Sequence, residues 1–291
     1  MKESYSIMTM SMLKLVYMPI HVARDNAAAL RQYKEMMAAV SLAGYRRVDI
    51  TKWEIDLFGL EAVRHTLDEF GLSVSSYINF DSYASGHDLP AKTENGIQQA
   101  EIAKVLGADV YMLVPVAHDG IEAQSKTEIH DALVAAWTPI VSYARTIGLH
   151  VVIEDTPDLR LQLCSIADVR SVLDRVPKLE LVYDSGNMIL AGEDPVSYLQ
   201  AFSQRIGYVH LKDIRFLPDG TQTNEKMADG RPTGAAPLGT GIIDLPAVIR
   251  SLEHIGYKGN MTIEYNKFED LSHLDSMRKS LEYVKSLRSD A

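Results

Sequence analysis

Two hydrophobic rhythms alternate along this chain from one end to the other, short apolar runs of strand type and longer segments with apolar residues at helical spacing. Such alternation is what repeated strand–helix units around a parallel sheet produce. The first strand-like run is MLKLVYM (12 to 18), followed by a helical face of Leu30, Tyr33, Met36, Met37 and Val40 that Gly44 stops. Strand-like runs at 45–50, 72–80 and 109–116 come next, separated by helices near 58–70 and 91–106 that Gly71 and Gly107 end. A long helix then carries Ile129, Leu133, Trp137, Ile140, Ala144 and Ile147 on one face as far as Gly148. Strands at 149–154, 179–184, 206–211 and 260–264 follow, and the helices among and after them carry Val169, Leu199, Leu252 and Leu281. Eight strands and eight helices are most economically a single (β/α)8 TIM barrel covering residues 1–291. A doubly wound open sheet is the alternative, because a sequence does not show closure.

Composition narrows the function. The net charge of -10 opposes a grip on nucleic acid, which needs a cationic surface to displace counterions. Small-molecule chemistry fits better. The single cysteine, Cys164, rules out an intrachain disulfide and suits a reducing compartment, and its apolar setting predicts a buried inert thiol. No stretch has the apolar length of a signal peptide or a membrane span, so the expectation is a cytoplasmic protein with no membrane partner.

Four runs in the second half each close on a side chain that binds metals: VVIE on Glu154, LELVYD on Asp184, GYVH on His210 and MTIE on Glu264. In a parallel barrel all the strand-to-helix loops open on one face, so these four would be neighbours around one rim. Three carboxylates and an imidazole suit one hard divalent cation, manganese first, with magnesium, cobalt or zinc as alternatives. The interval between His210 and Glu264 is the longest of the three. Its excess, about 214–241, is rich in glycine and proline and is expected to be a long loop over the site. Lys212 lies two residues past His210, on the same side of an extended strand, and Arg215 is within reach of the same mouth. Lys212 and Asp213 could equally be a solvated pair, and Asn187 only a turn residue. His65, His130, His254 and His273 fall in helical segments and are expected at the surface; His118 follows the fourth strand and could line the pocket, as could His21 and His87 after the first and third. Trp53 is read as packing before it is read as a sugar platform.

The runs IEDTP, YDSGN, VHLKD and IEY, with PLGTGIIDLPAVIRSLEHIGYKGNMTIE between the last two, resemble the xylose-isomerase-like barrel superfamily of sugar isomerases and epimerases. The likeness is closest to the branch of ketose 3-epimerases, hydroxypyruvate isomerases and inositol-catabolism enzymes. It is strong in the second half and limited to the strand–helix rhythm in the first. It implies that Glu154, Asp184, His210 and Glu264 hold one divalent metal, and that the protein associates with copies of itself. A metal that stabilises an enediolate would let Glu154 and Glu264 move protons on and off carbon, giving an isomerase or epimerase acting on a sugar, sugar phosphate or related keto-polyol. If the intermediate expels a β-hydroxyl instead, the same site is a dehydratase of the keto-inositol or dehydroshikimate type. A partner-dependent or noncatalytic barrel subunit is the reading from another class. Asn187, Lys212, Arg215 and His118 are the candidate substrate contacts; the family often has a histidine where this chain has Asn187. Specificity is expected from the first-half loops, around Tyr17 to Arg24, Trp53, Asn79 to Asp88 and His118.

Overall fold

Alternate residues along each strand face opposite ways, so a strand that reads as continuously apolar must be covered on both sides. In a computed structural model, which describes residues 4–9, 26–223 and 225–289, eight such strands close on themselves. They are β1 (Tyr5–Met8), β2 (Arg47–Thr51), β3 (Ser73–Asp81), β4 (Val110–Pro115), β5 (His150–Glu154), β6 (Glu180–Asp184), β7 (Ile206–Leu211) and, after a hairpin, β10 (Met261–Ile263). Each pairs in parallel with its neighbour, and closure is made by β1, which pairs β10 on one side and β2 on the other. The fold is a (β/α)8 barrel, and the open sheet is excluded.

Nine helices wrap the barrel among the described residues: α1 (Asn26–Leu42), α2 (Lys52–Phe58), α3 (Leu60–Glu69), α4 (Leu89–Val105), α5 (Lys126–Thr146), α6 (Ile166–Leu173), α7 (Pro195–Ala201), α8 (Leu245–His254) and α9 (His273–Ser289). None of the helices searched is long and apolar enough to cross a membrane. Outward-facing strand residues such as Ile7, Tyr111, Ile153, Tyr183, Val209 and Ile263 form the large core under the helices. Inward-facing ones form a second, smaller cluster inside the barrel: Met8, Ile78, Val110, Met112, Val114, Val152, Val182 and Tyr208.

Several expectations change. The run at 12–18 lies outside the described residues, and the barrel's first strand is Tyr5–Met8, all four residues of which are buried. The helix expected near 58–70 is found at Leu60–Glu69, and a short helix not expected, Lys52–Phe58, precedes it, the two parted at Gly59, whose φ of 79° a β-carbon would strain. The stretch expected as a loop at 214–241 is mostly loop but is pinned by a short hairpin ladder, β8 (Asp213–Phe216) antiparallel to β9 (Thr233–Ala236). Beyond β8 the chain also touches the loop after β6, where the Ala228 amide donates to the Leu190 carbonyl at 2.7 Å. His130 is buried rather than on the surface, its ring bonded to the Gln162 carbonyl and the Ser171 hydroxyl between α5 and α6. Cys164 is buried as expected.

Candidate metal centre

The inward parity that places Val152, Val182 and Tyr208 in the barrel interior carries two residues further along each strand to Glu154, Asp184 and His210, and from Thr262 to Glu264. Four strands adjacent in the barrel thereby aim four donors at one point. Glu154, Asp184, His210 and Glu264 each offer a ligand atom, and these atoms all lie within 4.8 Å of one another. His210 is turned so that Nδ1 meets Glu154 Oε1 at 2.6 Å and Glu264 Oε1 at 3.6 Å.

The motif around Asp184 works as one unit. Its Oδ1 accepts the backbone amides of Gly186 at 2.8 Å and Asn187 at 2.7 Å, which fixes the carboxylate and leaves Oδ2 buried with no hydrogen-bond partner. The Ser185 hydroxyl bonds both the amide and the carbonyl of Lys212 at 2.7 Å, tying the end of β6 to the end of β7. Asn187 is no mere turn residue. Its side-chain amide donates to the Asp155 carbonyl at 3.0 Å while its oxygen accepts from Lys212 Nζ at 2.8 Å. The ammonium also lies 3.3 Å from Glu264 Oε2. Lys212 and Asp213 are both buried, so the solvated-pair reading fails.

A dication fits this donor set. Among the described residues, Asp49, Glu154, Asp184 and Glu264 have the Lys212 ammonium and the His210 ring as their cationic partners, and buried charge needs compensation. Burial pushes the Asp184 carboxyl up to about 7 even though Lys212 pulls it down. Glu264 goes the other way, to about 2: burial alone would raise it, but the charges of Lys212 and His210 outweigh that. Burial would also lower Lys212 and His210, yet the surrounding carboxylates raise both. An oxygen with no partner at Asp184 Oδ2, in a basin with excess negative charge, is what a hard cation completes.

Sequence reasoning missed Asp49. This aspartate sits in the interior on β2 and is fully buried. Its Oδ2 is 3.2 Å from His210 Nε2, while its Oδ1 accepts the Tyr208 hydroxyl at 2.8 Å. Tyr208 continues to Thr262 at 2.8 Å and Asn260 at 3.0 Å, and Ser4 donates to Asn260 at 2.8 Å, so a polar column runs from His210 to the opposite end of the barrel. An acid between Val48 and Ile50, in the strand-like run YRRVDI, was the available signal. A carboxylate on Nε2 leaves Nδ1 free to face the ligand group, the usual way a ligating histidine is oriented. Asp49→Asn is therefore expected to weaken metal binding by ~10- to 100-fold in calorimetric titration. An unchanged affinity would remove Asp49 from that role.

Arg215, on β8, is more than half exposed, lies 3.8 Å from Glu269 and lines a 430 Å³ cavity with Asn266, Lys267 and Phe268, residues that follow Glu264 in the chain. His118 bonds within its own loop, to the Asp119 carbonyl and Gln124 at 2.8 Å each. Asn79, expected near the specificity loops, faces outward and donates to Tyr83 and Tyr111. His21 and the segment from Tyr17 to Arg24 lie outside the described residues.

A closed parallel barrel with one Glu, Asp, His, Glu cluster at the C-terminal ends of its strands defines a class, the (β/α)8 proteins with a one-metal donor set at the catalytic face. The family described as Xylose isomerase-like TIM barrel matches residues 37–287, and the chain belongs to it. Among curated relatives, the inosose dehydratase of Clostridium botulinum (strain Eklund 17B / Type B) is 24% identical over 297 residues, covering 95% of this chain and 98% of the relative. That of Lacticaseibacillus casei is 22% identical over 87% and 89% of the two chains. Solved structures with the same fold include a D-allulose 3-epimerase from Methylomonas sp. (TM-score 0.70, 18% identity, 98% of each chain). They also include a probable 3-DHS dehydratase from Bacillus anthracis (TM-score 0.72, 16% identity, 97% of this chain and 98% of that one). The IOLI protein, solved with a bound zinc atom, superposes with a TM-score of 0.68 at 17% identity over 99% and 97% of the two chains.

Proposed function

We propose that this protein is a metal-dependent dehydratase of a cyclic keto-polyol, with Glu154, Asp184, His210 and Glu264 as metal ligands and Glu154 and Glu264 as the proton-transfer groups. The convergence of four donors within 4.8 Å beside a buried ammonium carries the metal and the acid–base chemistry. The choice of elimination rests on the inosose dehydratases, which align over nearly the whole chain. It reverses the order that the sequence suggested, where isomerase or epimerase stood first. That reading remains the second one, supported by the epimerase fold-neighbour.

When bound, the cation supplies Lewis acidity to the carbonyl and hydroxyl oxygens of the substrate; manganese suits three carboxylates and one imidazole. One of the two glutamates removes the proton from the carbon beside the carbonyl. The C–O bond to the β-hydroxyl then breaks, and the hydroxyl leaves as water with a proton that the same pair of glutamates returns. No further reagent is needed. Lys212, held by Asn187, donates to the oxygen on which negative charge grows. Asn187 stands where the family often has histidine, so its task here is to aim the ammonium. The hairpin of β8 and β9 serves as the cover over this side of the mouth, a role supported by the Ala228–Leu190 contact.

The test is incubation of the metal-loaded protein with an inosose in D2O, followed by NMR. Loss of water with deuterium uptake beside the carbonyl, abolished by a chelator, is expected. Deuterium uptake and a new epimer without water loss would favour the second reading. Saturating metal is also expected to stabilise the fold, by about 2.7 kcal/mol at a hundredfold excess over Kd, which a melting curve with and without chelator reads.

A further inference from the structure

The mouth of the barrel has two chemically different walls. All four candidate ligands and Lys212 come from β5, β6, β7 and β10, one side of the strand order. On the other side Met8 on β1, Phe80 on β3 and Val114 on β4 belong to the apolar interior cluster or pack on it, and only β2 brings polar groups, Asp49 and, at its end, Thr51. Trp53, in the first turn after β2, lies over Phe80 with ring centroids 4.8 Å apart and planes 19° apart. It remains 41% exposed, whereas Trp137 is fully buried among the helices.

An indole with one face supported by a second ring is already held in place, so a ligand that covers it pays little to order it. What such a surface takes from a polyol is the C–H face of a ring. A cyclic polyol carries its hydroxyls around the edge and leaves patches of C–H above and below. Its edge oxygens suit the carboxylate and ammonium wall, and its C–H face suits an aromatic wall. A short open-chain ketone offers the same oxygen pair and no such face.

We infer that Trp53, backed by Phe80, is the platform for the substrate's ring, and that the substrate is a six-membered carbocyclic or pyranose keto-polyol rather than a short α-hydroxy ketone. This rests on the keto-polyol reading of the metal centre. Specificity then has an anchor in the first half of the chain, where no family motif was legible.

Trp53 is the only tryptophan with solvent access, so its fluorescence reports on the platform directly. With metal-loaded protein, a saturating inosose is expected to shift the emission to the blue and to reduce acrylamide quenching about twofold or more, as burial of an exposed indole requires. Dihydroxyacetone at the same concentration leaves both unchanged. Trp53→Ala is expected to raise KM for the inosose about tenfold, the loss of one aromatic contact, with metal affinity and melting temperature unchanged. Trp53→Phe restores most of the loss. Turnover of the inosose with Trp53 emission and quenching unaltered, or with KM unchanged in Trp53→Ala, overturns the platform and leaves the dehydratase reading standing. A metal-loaded protein that neither reacts with the inosose nor shows the emission change overturns both.

Discussion

Replacing Glu264 by glutamine is expected to lower turnover, and deuterium exchange beside the substrate carbonyl, by about 10²- to 10⁴-fold, the range that removal of a general acid or base produces. The side chain is almost fully buried, with Lys212 Nζ 3.3 Å from one carboxylate oxygen and His210 Nδ1 3.6 Å from the other. Glutamine keeps the shape and a neutral oxygen donor but cannot accept a proton from carbon. It also leaves the ammonium with one compensating charge fewer, so metal affinity is to be measured in the same preparation by titration. Glu154→Gln is expected to behave alike, since its Oε1 sits 2.6 Å from the same imidazole. A Glu264→Gln protein with metal bound and full turnover would remove Glu264 from proton transfer and reduce it to a ligand.

The second large effect is structural. Gly241→Ala is expected to destabilise the fold by about 3 kcal/mol, at the upper end of what overpacking costs. An added β-carbon there would stand 2.1 Å from Asp213 Oδ1 and 2.2 Å from the Ile214 carbonyl oxygen, neither of which can withdraw. Asp213 is the knot of this region. Its carboxylate accepts the amides of Ile214, Gly239, Gly241 and Ile243, so one buried side chain holds together the two ends of the hairpin excursion. The melting temperature is expected to fall by about 5 °C for a domain of this size. A fall within 1 °C would mean that the loop rearranges at little cost. Asp213→Ala, which makes room and removes the acceptor for those four amides, is expected to be no milder.

The barrel and the four-donor cluster were legible because both follow from simple periodicities. Apolar runs mark their own ends, and the residues that close four of them, Glu154, Asp184, His210 and Glu264, are the four donors that the barrel brings within 4.8 Å of one another. Asp49 escaped because attention went to strand ends, whereas an acid flanked by Val48 and Ile50 marks a polar interior halfway along a strand. The first strand was assigned to 12–18 because Tyr5–Met8 is short and its YSIM run mixes polar with apolar residues; only pairing with β10 and β2 selects it. Long-range pairing is not written in any local window. The same holds for the hairpin, where glycine and proline mark turns but do not show that Asp213 to Phe216 pairs back on Thr233 to Ala236.

Barrel enzymes are commonly divided into a catalytic end and a stability end, with the packed interior as insulation between them. The column from His210 through Asp49, Tyr208 and Asn260 to Ser4 breaks that insulation on one side of this barrel, while the apolar cluster keeps it on the other. Substitutions at the far end are thus unequal in reach. Asn260 is bonded into the chain that ends on the histidine ring, whereas His150 and Glu180, paired at the foot of β5 and β6, are separated from the four donors by Val152 and Val182. For anyone choosing sites to graft, label or diversify on the quiet end of this scaffold, the half under β1, β2, β7 and β10 belongs to the chemistry.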